Sequence, residues 1–253
     1  MNLSNSIGLK HGDVISIVGA GGKTTLMFQL AKEIKNNNAN VLATTTTKIY
    51  LPSREEAEII CIGEDNFSEC QIDKAKIYVY GLGVNLENKI IGLREEHLDR
   101  LVPCFDYTVI EADGSKCKPL KGWNLYEPVV YKGTTKTIGV LDIQTLGMEI
   151  SDSNIHRMEE FSRLTHGQAG EKITIDHLLK IIVHPMGLFK NHKGEKILFV
   201  NKADNSYHRN NAIKLLNEMR KSNKGFLDRI VIGSFAANKY DEMSLFDVYT
   251  DKE

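Results

Sequence analysis

The chain has 253 residues, 42% of them hydrophobic and 26% charged, with 20 glycines and 5 prolines, a composition that excludes collagen-like, mucin-like and disordered classes. Lys plus Arg number 32 against 33 Asp plus Glu for a net charge of −1, so the basic footprint of a nucleic-acid partner is missing. No apolar run approaches the roughly 20 residues of a bilayer span, and the N-terminus lacks the basic and apolar regions of a secretory signal, so a cytoplasmic protein with no membrane segment is expected.

The first expected strand, 14–18, is a β-branched run that ends in Gly19, Ala20, Gly21 and Gly22. A helix is predicted to follow over 24–34 from the spacing of Leu26, Met27, Leu30, Ala31 and Ile34. A second strand at 40–43 runs into four threonines at 44–47 and completes a β-α-β unit. From about 54 to 105 the pattern changes to short strands at 59–62, 76–80 and 89–93, read as an insertion that contains a hairpin. Buried parallel strands resume at 107–110, 137–141 and 197–200, with helices predicted at 156–164, 175–182 and 211–220. A last strand at 230–233 precedes a polar tail. The expectation is one α/β domain over 1–253, three-layered and P-loop NTPase-like, with a mostly parallel sheet. Cys61, Cys70, Cys104 and Cys117 match neither a zinc pair nor a disulfide scaffold and are expected as reduced thiols.

Gly-Ala-Gly-Gly-Lys-Thr-Thr at 19–25 lies between a buried strand and an amphipathic helix, the context a phosphate-binding loop needs. Glycines let backbone N–H groups approach phosphate oxygens, the helix N-terminus adds partial positive charge, and Lys23 adds a full one. Lys23 is expected to be accessible to solvent and outside the core. Thr24 would ligate Mg²⁺ through its hydroxyl, and Thr25 closes the motif. The spacing departs from G-x-x-x-x-G-K-[ST], whose first glycine would fall on Ile17, and is similar to the shorter loop of Mur-type ligases.

The threonines at 44–47 stand at the strand end where ligands of open α/β sheets bind. One of their hydroxyls could complete the Mg²⁺ shell, with Thr46 as the metal-side candidate. Glu111 and Asp113 lie two apart at another strand end and would share a side if that strand persists. One would hold the metal and the other orient a nucleophile, with Asp113 preferred for the metal. Asn201, Lys202 and Asp204 form an Asn-Lys-x-Asp tetrapeptide after a strand. An Asp carboxylate there can accept from both guanine donors while the Lys stem covers the ring, which favours GTP over ATP without excluding ATP. Gly233-Ser-Phe-Ala at 233–236 is a loose counterpart for the base. Lys116, Lys118 and Lys121 make a basic loop that could hold an anionic partner or merely face solvent. Arg157 could stabilise transition-state charge or form an ordinary helix-start ion pair. Trp123 and Tyr126 could cap the core or meet a partner, and His184 before Pro185 shapes a turn.

Together, the loop at 18–25, Thr-Thr-Thr-Thr-Lys at 44–48, Glu-Ala-Asp-Gly-Ser-Lys at 111–116 with Pro-Leu-Lys at 119–121, His156-Arg157, His-Pro-Met-Gly at 184–187 and Asn-Lys-Ala-Asp at 201–204 resemble the YqeC family of selenium-dependent hydroxylase accessory proteins. The resemblance implies a nucleoside-triphosphate-dependent factor that assists maturation of a molybdenum hydroxylase, with that enzyme or its maturation proteins as partners. A Mg²⁺-dependent triphosphatase is the expected activity. Two alternatives stay open: an ATP-dependent kinase or Mur-like ligase acting on a small molecule, and a scaffold that binds nucleotide without hydrolysing it.

Overall fold

The computed structural model describes residues 2–64, 72–222 and 225–244. A one-turn helix α1 (Leu3–Ser6) precedes β1 (Val14–Gly19), α2 (Lys23–Asn36) and β2 (Val41–Thr45). The chain continues through β3 (Lys48–Tyr50), β4 (Ile59–Ile62), β5 (Ile77–Gly81), β6 (Gly83–Val84), β7 (Lys89–Ile91) and α3 (Glu95–Leu101) to β8 (Tyr107–Glu111). Then follow β9 (Leu120–Lys121), β10 (Lys136–Asp142), β11 (Ile155–His156), α4 (Met158–Thr165), α5 (Ile175–Val183), β12 (Glu195–Asn201), α6 (Ser206–Ser222), β13 (Arg229–Ser234) and β14 (Lys239–Met243).

Among the described residues the main sheet has nine strands in the order β14-β13-β12-β10-β1-β8-β2-β5-β4. All neighbours pair in parallel except β14, which runs antiparallel to β13. Every residue of β1 and β10 is buried, as expected where helices cover both faces of a parallel sheet. On one face Ile15, Ile17, Val41, Ala43 and Val140 pack against Leu26, Met27, Leu30 and Ile34 of α2. On the other, Val18, Leu141, Leu198 and Val200 pack against Phe161, Leu178, Ile181, Leu215 and Leu216 of α4, α5 and α6. These three layers are the expected P-loop NTPase-like α/β architecture.

The strand order places the site. From β1 the chain moves toward β2, whereas from β10 it moves toward β12 and β13, so the order reverses between β1 and β10. Ligands of open α/β sheets bind outside the carboxyl ends of the strands at such a switch point. Gly19, at the end of β1, and Asp142, at the end of β10, border it.

The stretch read as an insertion is divided. β4 and β5 extend the main sheet at its edge, parallel to each other and to β2, while β6 and β7 form the hairpin and pair through β7 with β3. The reason is long-range: a short apolar run carries no mark of which distant strand it pairs with. Cys70 lies outside the described residues, as do 245–253 of the tail, whose earlier part forms β14. None of the described helices is long and apolar enough to cross a membrane.

Candidate functional site

β1 delivers the glycine loop to the switch point, and the backbone demands glycine there. Gly19 has φ +100°, and a Cβ on it would stand 2.2 Å from the Val140 carbonyl oxygen, while the Ala20 N–H donates to that same oxygen at 3.1 Å. The loop is thereby pinned to β10. Gly22 has φ +131° and serves as the N-cap of α2 with no side-chain capping bond. The first turn of a 14-residue helix therefore presents its N–H groups to the cleft without a competing side chain.

Lys23 is 4% exposed, which corrects the expectation of an accessible lysine outside the core. Its ammonium donates to the Gly19 carbonyl at 2.8 Å and lies 3.3 Å from Asp113 Oδ1 and 3.7 Å from Glu111 Oε1. Burial opposes the charge, but Asp113 and Glu111 outweigh it and hold the ammonium above its ordinary value. The two carboxylates respond in opposite directions. Burial pushes the Glu111 carboxyl up in spite of Lys23 and of the Thr24 hydroxyl, which donates to Oε2 at 2.7 Å. Burial acts on Asp113 too, yet Lys121, Lys23, the Gly19 N–H and the Trp123 indole together hold it below the usual range.

Two of the groups around Asp113, Lys121 and Trp123, come from the segment that follows β8. Lys121, wholly buried, donates to Asp113 Oδ2 and Glu127 Oε2 at 3.1 Å each and to the Gly114 carbonyl at 2.6 Å. Trp123 Nε1 and the Gly19 N–H each donate to Asp113 Oδ2 at 3.0 Å. The basic-loop reading thus separates by residue, since Lys121 is a core cation whereas Lys116 is exposed. Trp123 is buried against the core and Tyr126 is exposed. Arg157 precedes α4 with φ +59° and binds Glu127 through Nε at 3.2 Å and Nη2 at 3.1 Å.

The threonine hydroxyls turn to backbone: Thr44 donates to the Tyr80 carbonyl, Thr45 to that of Glu111 and Thr46 to that of Val129. Thr47 Oγ1 lies 3.2 Å from Thr45 Oγ1. At the other end, Asn201 Nδ2 donates to the Gly21 carbonyl at 2.7 Å, which ties the tetrapeptide to the loop, and its buried Oδ1 has no hydrogen-bond partner among the described residues. Lys202 pairs with Asp142. Asp204 accepts from Gln144 Nε2 on one oxygen and from the Ser234 hydroxyl on the other.

One cleft of about 730 Å³ runs along these parts, lined by Lys23, Thr24, Thr25 and Glu111, by Asp142, Gln144 and Lys202, and by Lys48, Tyr50, Lys89, Lys116 and Lys118. A smaller pocket of about 230 Å³ adjoins Asp204 and Ser234. Asp142, Gln144 and Glu127 escaped the sequence reading. The strand-end position of Asp142 was the one signal available, and it is the same signal that marks Glu111.

A profile described as YqeC protein matches residues 15–159. The chain belongs to the YqeC family. The protein of Escherichia coli (strain K12) named "Uncharacterized protein YqeC" is 33% identical over 184 residues, 72% of this chain and 72% of its own length. No solved structure matches. The YqeC profile covers the glycine loop, Glu111, Asp113, Lys121 and Arg157, and stops short of Asn201, Lys202 and Asp204.

Proposed function

We propose that this YqeC-family chain is a Mg²⁺-dependent nucleoside triphosphatase that prefers GTP and works as a cytoplasmic accessory factor in maturing a selenium-dependent molybdenum hydroxylase. The observation that carries the nucleotide reading is Lys23 at the open N-terminus of α2, beneath a loop pinned to β10 at the switch point of the sheet. Backbone donors, helix dipole and ammonium converge on one place, which suits a polyphosphate. The accessory role rests on the family resemblance.

The donor set beside Lys23 fits a hard divalent cation on one carboxylate. Thr24 and Glu111 offer adjacent oxygens already within hydrogen-bond distance of each other, whereas Asp113 spends Oδ2 on Lys121, Trp123 and the Gly19 N–H and its buried Oδ1, with no hydrogen bond among the described residues, faces the Lys23 ammonium at 3.3 Å. Thr24 and Glu111 would therefore hold Mg²⁺. The ion, when bound, neutralises phosphate charge. Lys23 would turn from Gly19 and the carboxylates to the phosphates, and Asp113 would keep the loop N–H of Gly19 in place.

The guanine preference is supported by Asp204. Gln144 and Ser234 each donate to one of its oxygens and so fix its orientation, while a carboxylate has about four acceptor positions, which leaves room for the two donors of guanine. Asn201 links this end to the loop at Gly21.

The test is a titration of the purified protein with labelled GTP and ATP, with and without Mg²⁺. Lys23→Ala is expected to lower triphosphate affinity by about 10- to 100-fold through loss of a charge-assisted contact. Because Lys23 also balances two buried carboxylates, folding of the variant is checked by circular dichroism, and Thr24→Ala, which leaves those charges untouched, should lose the Mg²⁺ dependence of binding. Unchanged affinity in folded Lys23→Ala, or unchanged Mg²⁺ dependence in Thr24→Ala, would overturn the assignment. Transfer of phosphate to a small molecule in place of water would favour the kinase reading.

A further inference from the structure

A second pocket of about 370 Å³ lies against the first, lined by Thr47, Lys48, Lys116, Glu127, His156 and Arg157. Lys48, Gly114 and Lys116 line both cavities, so little more than that wall separates them. Three cations face one acid. Glu127 is already bound by Arg157 through two hydrogen bonds and by Lys121, while Lys48 and Lys116 make no ion pair among the described residues. The pocket therefore carries uncompensated positive charge.

Two further observations point to a ligand. Lys116 at φ +49°, Cys117 at φ +60° and Arg157 at φ +59° all occupy the left-handed region without being glycine, and such strain gathers where side chains must be aimed. His156 is 8% exposed, and its imidazole makes no described side-chain hydrogen bond although it lines the pocket. Burial, then Lys121, Arg157 and Lys116, lower its protonation to about pH 4 against the pull of Glu127. That ring is thus neutral at pH 7, free to donate one hydrogen bond, and it senses a net positive field.

We infer that this pocket binds the dianion of a small organic phosphate, held by Lys48, Lys116 and Arg157 with His156 as a hydrogen-bond donor, across the shared wall from the triphosphate site. A monocarboxylate would leave charge unmatched, and the volume suits a small metabolite. Phosphate geometry also suits a guanidinium, which offers parallel N–H donors. The inference deepens the function proposed above and rests on it only for what occupies the neighbouring cleft.

The experiment uses the full chain, inorganic phosphate as probe, acetate at equal ionic strength as control, and histidine side-chain NMR as readout, with and without a saturating non-hydrolysable GTP analogue. At about pH 8, where most of the phosphate is the dianion, phosphate is expected to move the His156 resonances in both arms, and acetate should not. Lys116→Gln, at an exposed position where the fold has little at stake, should weaken phosphate binding about 10-fold, and Arg157→Gln at least as much. Phosphate affinity equal to the parent's in both variants, a silent His156, or a response that the analogue abolishes because phosphate had occupied the loop cleft would each overturn the proposal. If the analogue fails to bind while His156 still responds, the nucleotide reading falls and this one stands. If the analogue binds and His156 stays silent, the reverse holds.

Discussion

The two ends of the site, the glycine loop and the smaller pocket at Asp204, hold charge in opposite ways. At the glycine-loop end charges alternate through the interior, with Lys23 3.3 Å from Asp113, Asp113 3.1 Å from Lys121, Lys121 3.1 Å from Glu127, and Glu127 3.1 Å from Arg157. At the other end the Lys202 side chain is 41% exposed and Asp204 faces solvent. A buried charge is tolerated only with its partner in place, whereas an exposed one is screened by water whichever way it points. The glycine-loop end is therefore set by folding. The Asp204 end is free to be tuned without disturbing the fold.

The strongest way to break this contrast is Lys121→Met. It keeps the stem length but strands Asp113 and Glu127 without their common cation, and breaking a buried pair in this manner costs about 3–5 kcal/mol. Urea denaturation should show that loss, while Asp204→Asn unfolds close to the parent's midpoint. The pH course adds a check. Asp113 and Glu127 are held below their ordinary values, with burial outweighed by Lys121 and its neighbours, so their contribution is present above the usual carboxylate range and fades as acid is added through the lowered values. Lys121→Met should lose most of that acid-sensitive part. A variant as stable as the parent, with the same acid limb, would show that the buried chain of charges contributes nothing.

The same contrast explains what could be read from the sequence. Features set by neighbours in the chain were legible: the glycine loop opening α2, the buried runs of β1, β8, β10 and β12, and the tetrapeptide after β12. What depended on a fold-back was not. Lys121 lies only eight positions beyond Asp113, yet a solvated loop and a buried ion pair look alike until the chain turns at Lys116 and Cys117 and β9 pairs with β11. Asp142 and Gln144 matter because β10 lies beside β1, and β4 and β5 look like an excursion because β5 pairs with the distant β2 and β4 with β5. Lys23 was expected in solvent because its two carboxylates arrive from β8, almost 90 residues later in the chain.

A smaller effect, confined to the open end, is expected from Asp204→Asn. The amide sets a donor against one guanine donor, so GTP affinity should fall by roughly 1–3 kcal/mol, about 5- to 150-fold, while ATP affinity holds. Ser234→Ala, which removes the hydroxyl donor to Asp204, should shift the ratio in the same direction by less. Equilibrium titrations of the two nucleotides decide it. A parent protein that prefers ATP would remove guanine recognition from the open end altogether.

The smallest expected effect lies at the closed end and carries the opposite sign from Lys121→Met. Glu111 is buried beside Lys23 at 3.7 Å and Thr24 at 2.7 Å, yet burial wins and raises its carboxyl above the ordinary value. A raised carboxyl means that the folded state favours the protonated form. Its contribution is complete at pH below the ordinary carboxylate range and is lost as pH rises through the raised value. Glu111→Gln imitates the protonated form permanently. It should match the parent in acid and become more stable than the parent toward neutrality, by on the order of 0.5–1 kcal/mol, a gain trimmed by the amide nitrogen that would face Lys23. Asp113→Asn should behave in reverse, because Asp113 is held below its ordinary value: less stable than the parent at neutral pH, with the gap closing as acid is added. Glu111→Gln should at the same time lower triphosphate hydrolysis, since the neutral amide replaces the charged oxygen proposed for Mg²⁺. Thermal melts of parent, Glu111→Gln and Asp113→Asn across pH 3 to 8 would expose either error. Two variants that move the same way would mean that Glu111, at the end of β8, and Asp113, two residues beyond it, do not differ in how their surroundings set their charge.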